Sequence, residues 1–161
     1  MKIKKKTFIN LIIISSIFIL DQTSKTYVVN YLNFDEVIYL TSFLNLQLIW
    51  NDGIAFGLLS FDNNIYYHLI TLVIFTVIII LFYFIKNQDR FSFCYAMIVG
   101  GALGNLVDRV RYSSVPDFID FHIYNFHWFV FNIADIFVSL GVFCLIIAEI
   151  FLNKNVSNEK N

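Results

Sequence analysis

The sequence predicts an all-α membrane protein, with four transmembrane helices and a small strand-and-loop region at the outer face. Three observations carry this. The chain is 58% hydrophobic and only 14% charged, whereas a soluble domain carries about 25% charged residues. Apolar runs at about 8–28, 65–85, 91–111 and 129–152 each approach the ~20 residues that span a bilayer. Polar residues gather between them, in outer loops at about 30–64 and 112–128, and in a polar C-terminal tail at 153–161. With 161 residues, the chain reads as a single integral membrane domain. A net charge of −1 and the lack of a basic motif exclude nucleic-acid binding. Cys94 and Cys144 sit in apolar segments and read as small core hydrophobes.

Met1 to Lys6 is a basic cap before the apolar run Phe8–Leu20, which resembles the front of a secretory leader. No small-x-small cleavage site follows it, so the segment is expected to remain as the first span. The run is short, and spanning requires the helix to continue through Asp21-Gln22-Thr23-Ser24-Lys25. Asp21 and Lys25 then form an i,i+4 pair on one helix face.

The next segment is polar. Leu44-Asn45-Leu46-Gln47-Leu48 alternates with period two, the pattern of a half-buried strand. Residues 36–40 and 46–50 are expected to pair as a small sheet on the membrane surface. Asn51-Asp52-Gly53 signals a turn, leading into the apolar Ile54–Gly57. Residues 65–85 form the clearest span. Lys86–Arg90 is a short turn before the third span, and the fourth runs from about 129. The basic residues at the N-terminus, at Lys86 and Arg90, and at Lys154 and Lys160 fall on one side of this arrangement. The positive-inside rule makes that side cytoplasmic, with both termini on it. Arg109 and Arg111 lie at the other end of the third span, where they can snorkel or pair with acids.

The chemistry concentrates between Gly100 and Asp135. This stretch holds Asp108, Asp117, Asp120 and Asp135, four of the chain's twelve acidic residues. A carboxylate at the centre of a bilayer costs roughly 2.5 kcal/mol or more, so a cluster of them implies use. Gly101, Gly104, Asn105 and Asp108 have the spacing of one helix face, and Gly100 with Gly104 forms GxxxG, which permits close helix approach. Asn132, Asp135 and Ser139 are spaced to share a face of the fourth span, with Asp135 about one turn inside its start. Arg109 and Arg111 flank Asp108 and suit it to a structural clamp. Asp117, within Val115-Pro116-Asp117-Phe118-Ile119, and Asp135, between Ala134 and Ile136, have apolar neighbours. Such surroundings raise a carboxyl pKa, and two such groups brought close share a proton. One member then activates water while the other polarises a carbonyl.

Other chemistries are weaker. Ser113-Ser114 has no evident base. Asp120 with His122 offers metal-type donors, but the aromatic run Phe121–Phe131 reads as an interfacial belt; no metal or cofactor is expected. A proton-coupled transporter or channel subunit would also cluster membrane aspartates. Here the acids crowd one end and leave no relay across the bilayer. A scaffold held by GxxxG contacts leaves Asp117 and Asp135 without a purpose.

Five blocks, in order, resemble the bacterial lipoprotein signal peptidase (signal peptidase II) family: Asp21–Lys25 (DQTSK), Asn51–Gly57 (NDGIAFG), Gly101–Arg109 (GALGNLVDR), Val115–Phe121 (VPDFIDF) and Phe131–Asp135 (FNIAD). The resemblance implies an aspartic endopeptidase of the bacterial inner membrane with its site near the outer face. Its substrates are prolipoprotein signal peptides, cut before a diacylglyceryl-modified cysteine amid membrane lipids. Inhibition by globomycin-type cyclic peptides is implied too. The family's catalytic aspartates match Asp117 and Asp135. Asp21, Lys25, Asn51, Gly53, Asn105, Asp108, Arg109 and Asn132 match positions that shape or support the site. The family's β-cradle corresponds to residues 31–60. One departure is visible: Tyr112-Ser113-Ser114 stands where the family often has a glycine, which implies a changed loop path.

Overall fold

The computed structural model describes residues 2–33, 36–52, 64–87, 90–124 and 126–158. The elements run α1 (Lys2–Tyr31), β1 (Val37–Tyr39), β2 (Leu44–Asn51), α2 (Asn64–Lys86), α3 (Ser92–Tyr112), β3 (Val115–Ile123), β4 (Phe126–Phe131) and α4 (Ile133–Asn158). Gly53 and the rest of 53–57, the turn and apolar stretch expected after β2, lie outside the described residues.

Helix α1 does continue through Asp21–Lys25. Thr23 and Ser24 donate their hydroxyls to the carbonyls of Ile19 and Asp21 at 2.5 and 2.7 Å, so neither leaves a polar group unpaired in the span. Portions of α1, α2 and α4 (Lys5–Tyr31, Tyr67–Lys86 and Ile133–Phe151) are long and apolar enough to cross a membrane. Helix α3 carries Gly100, Gly101, Gly104, Asn105, Asp108 and Arg109, which lower its hydropathy. It is surrounded by protein instead: it packs on α1, α2 and α4. Its Ala96 and Val99 join Ile14 of α1 and Ile78 and Ile85 of α2 in one core. Leu72, Val73, Ile79, Phe143 and Ile150 turn outward and stay exposed. An apolar surface of that extent suits lipid, not water.

Glycines set how closely α3 is approached. A Cβ on Gly100 would lie 2.9 Å from Ile17 Cβ of α1, and one on Gly104 would overlap the Asp21 carboxylate. A Cβ on Gly101 would collide with the Ala134 carbonyl of α4. The expected single stripe is thus divided between two neighbours.

The sheet is larger than expected. Strands β1 and β2 pair antiparallel with Ile38 opposite Leu46, inside the segments expected to pair. The interval 112–128, expected as a loop, instead supplies β3 and part of β4, giving the antiparallel order β1-β2-β3-β4. In β3 the first four residues are all buried, which removes the alternation that marks a one-sided strand. Within the run Phe121–Phe131, read from the sequence as an interfacial belt, Phe126–Phe131 pairs with β3 as a strand, Phe131 opposite Ile119.

Two further boundaries differ. The fourth helix starts at Ile133, not near 129, because Phe129–Phe131 belongs to the sheet. It continues to Asn158 through the expected tail; no Gly or Pro follows Gly141 to stop it. The link after α3 shows how the missing glycine is accommodated. Ser113 takes the left-handed conformation itself, with φ 57°, and its N–H donates to the Arg109 carbonyl at 3.1 Å. Below it, Phe118 and Leu48 of the sheet pack on Val28 and Leu32 of α1, fixing the sheet against the end of the bundle.

Candidate active site

Asp117 enters the site from β3 and Asp135 from the first turn of α4. Both line one cleft of about 350 Å³, together with Asn51, Asn105, Arg109, Asn132 and Ser139. The cleft lies where the sheet meets the ends of α3 and α4.

Each carboxylate is held by asparagines. Asn51 donates from Nδ2 to Asp117 Oδ2 at 2.8 Å, and Asn132 donates from Nδ2 to Asp117 Oδ1 at 2.5 Å. Asn105 Nδ2 donates to Asp135 Oδ1 at 2.8 Å. Asn132 was expected inside the fourth helix; it is the residue before it and caps it. Its Oδ1 accepts from the Asp135 N–H at 3.1 Å, and Asp135 Oδ2 accepts from the Asn132 N–H at 3.2 Å. This reciprocal pattern is a capping box. It orients Asp135 through the backbone while the same Asn132 side chain holds Asp117.

Asp117 is 3% exposed. Burial, and then the neighbouring Asp135 charge, push its carboxyl up to about 6. The Asn51 and Asn132 donors and the Lys25 charge pull the other way but are outweighed. This is the raised pKa expected of a buried carboxyl beside a second one.

Behind the cleft lies a buried charge cluster. Lys25 Nζ is 2.8 Å from Asp21 Oδ2 and 2.7 Å from Asp108 Oδ2, and it donates to Asn105 Oδ1 at 2.7 Å. Asn105 therefore links the lysine to Asp135. The cation beside Asp108 is Lys25, and not Arg109 or Arg111 as the sequence spacing suggested. Those arginines are adjacent in sequence but point elsewhere. Arg111 lies 5.5 Å from the Tyr112 ring centre. Arg109 lines the cleft, with Nη1 on the Asn105 carbonyl at 3.2 Å and Nε buried without a partner among the described residues.

Asp21 also reaches α4, where its Oδ1 accepts from the Ala134 N–H at 2.9 Å. It thereby holds the start of α4 against α1, one residue before Asp135. Gln22 was not singled out from the sequence, yet its Nε2 donates to Asp108 Oδ1 at 3.0 Å and reaches the Gly104 carbonyl at 3.3 Å. Its place beside Asp21, within the polar block of α1, was the available signal. Asp120, the remaining acid of the stretch, is outside this cleft; alternation along β3 turns it to the face opposite Asp117.

The family model described as Signal peptidase (SPase) II matches residues 13–151. A lipoprotein signal peptidase of Pelagibacter ubique is 52% identical over 160 residues, covering 98% of this chain and 96% of its own. That of Thermodesulfovibrio yellowstonii is 40% identical, covering 78% and 84%. Two solved bacterial membrane enzyme structures, both obtained by the in meso method, superpose with TM-scores of 0.77 and 0.73 at 32% and 31% identity. They cover 92% and 86% of this chain, and each is covered to 90%. The family model and these relatives show that the chain belongs to the signal peptidase II, or lipoprotein signal peptidase, family.

Proposed function

We propose that this protein is an intramembrane aspartic endopeptidase that removes signal peptides from prolipoproteins by cleaving before the diacylglyceryl-modified cysteine. The observation that carries the reading is the convergence of Asp117 and Asp135 on one cleft, with Asp117 pushed up to about 6. A proton taken up as Asp117 titrates, near pH 6, is shared across such a pair. The ionised member takes a proton from water, and the water attacks the scissile carbonyl. The protonated member donates toward the carbonyl oxygen, and the departing amine is then protonated. Asn51, Asn105 and Asn132 keep the carboxylates in register. Asp21, Lys25 and Asp108 hold the helices that carry them. Arg109, on the cleft wall, is a positioning group for the peptide, and Gly53 belongs to the segment that would cover it.

The cleft sits at the end of the bundle, so the lipid chains of the substrate stay among the helices while the peptide reaches water. With the positive-inside orientation, this end faces outward from the bacterial inner membrane. Globomycin-type cyclic peptides are expected to compete for the same cleft. The transporter reading gains nothing from the family or the cleft.

Purified protein in detergent should cleave a diacylglyceryl-modified prolipoprotein. Asp117→Asn and Asp135→Asn should each be folded and lose activity by at least roughly 10³-fold, the scale on which loss of an acid–base group acts. Full activity of folded Asp117→Asn would remove it from the dyad, and a folded wild type that never cuts this substrate would overturn the reading.

A further inference from the structure

A second polar cluster lies on the sheet, away from the aspartate cleft. Asp120 on β3 is 1% exposed. His127 on β4 places Nδ1 at 2.8 and 3.0 Å from its two carboxylate oxygens. His122 and His127 are cross-strand partners, and their rings stack at 5.0 Å with 20° between planes. His122 is two residues from Asp120, so alternation puts all three side chains on one face. One ligand atom from each lies within 4.8 Å of the others. Two details need explaining. Among the described residues, His122 Nδ1 is buried without a partner, and so is the Oδ1 of Asn45, whose Nδ2 donates to Asp120 Oδ2 at 3.1 Å. Buried polar atoms are ordinarily paired.

We propose that Asp120, His122 and His127 bind a divalent transition metal of the zinc class, which staples the β3–β4 hairpin. Two imidazoles and one carboxylate form a borderline N,N,O set that suits zinc and its neighbours and not magnesium or calcium. Bonds of about 2.0–2.2 Å to such donors bring them closer than the observed limit, and His127, exposed on the surface, is free to rotate inward. Ligation gives the orphaned His122 nitrogen a role. Asn45 supplies the outer hydrogen bond that orients a ligating carboxylate. The open side at His127 gives the ion its entry. The staple joins the strand that carries Asp117 to the strand that leads into Asn132 and Asp135. Its action is on the sheet, so it is independent of the proteolytic assignment.

The test uses the purified full chain in detergent, stripped with a chelator and titrated with Zn²⁺ or Co²⁺ alone. Zn²⁺ should raise the thermal midpoint with one-to-one stoichiometry, and Co²⁺ should give visible ligand-field bands. Mg²⁺ should do neither. His122→Ala and His127→Ala should each weaken binding by at least about tenfold, while His68→Ala leaves it unchanged. Exposed His127 tolerates truncation, so its folded variant gives the deciding comparison. Equal binding by His127→Ala would reveal an adventitious ion only and overturn the proposal, as would a folded wild type that shows neither bands nor a thermal shift.

Discussion

Lys25 is the residue on which the buried charges depend. It is 2% exposed and sits between Asp21 and Asp108, themselves 0% and 1% exposed. Removing one partner from a buried ionic cluster strands the others and costs roughly 3–5 kcal/mol. Lys25→Met should therefore unfold far more readily in denaturant than the wild type, and a loss below about 1 kcal/mol would show that water reaches the cluster. The Asp117 carboxyl imposes a pH dependence of its own. Raised from 3.8 to about 6, it binds a proton more tightly in the folded chain than in the unfolded one. Its contribution to stability is complete below about pH 4 and is lost as the pH rises through about 6. Thermal midpoints measured across that window should fall for the wild type, and the fall should shrink in Asp117→Asn. Apolar neighbours in the sequence pointed correctly to Asp117 as a carboxyl with raised pKa. Sequence neighbours misled for Asp108, because its cation arrives from a residue 83 positions away, on another helix.

At the scale of elements, α3 and β3 carry the site. Helix α3 is polar along one side and rich in glycine, so it reads as a weak membrane span. Burial among three helices replaces lipid contact and permits those residues. Its packing tolerates no added bulk: a methyl at Gly101 meets the Ala134 carbonyl at the start of the helix that bears Asp135. Gly101→Ala should lower stability by roughly 1–3 kcal/mol and reduce turnover as well, read from thermal unfolding and a peptidase assay on the same sample. An unchanged midpoint would mean that α4 shifts freely. Strand β3 was illegible as a strand because its opening residues are buried on both sides. The aromatic β4 was equally ambiguous, since phenylalanine and tryptophan are common both in strands and at membrane interfaces. Strand β2 was legible because polar and apolar residues alternate along Leu44–Leu48.

At the scale of the whole molecule, the helices form a bundle whose end is closed by a sheet, and the cleft lies at that junction. Basic residues at Lys5, Lys6, Lys86 and Arg90 mark the opposite end. With α3 as a fourth crossing, both termini and the α2–α3 turn should be cytoplasmic. Cysteine labelling at Asn87 and near the N-terminus should be blocked in intact cells, and labelling at Tyr124 should succeed. The reverse pattern would invert the orientation, and labelling of Asn87 and Tyr124 from the same side would remove the fourth crossing.

The sequence alone determined the membrane class, the apolar helices and the stretch where the acids gather, because hydropathy and the scarcity of charge in apolar segments are local properties. It also marked the first hairpin of the sheet through alternation. Only the tertiary structure decided which cation meets which acid, that Asn132 caps one aspartate while holding the other, and that Asp120 turns away toward two histidines. Those outcomes depend on strand register and on helix contacts between residues far apart in the chain. Pairing across such separations is set by packing, which no local pattern encodes.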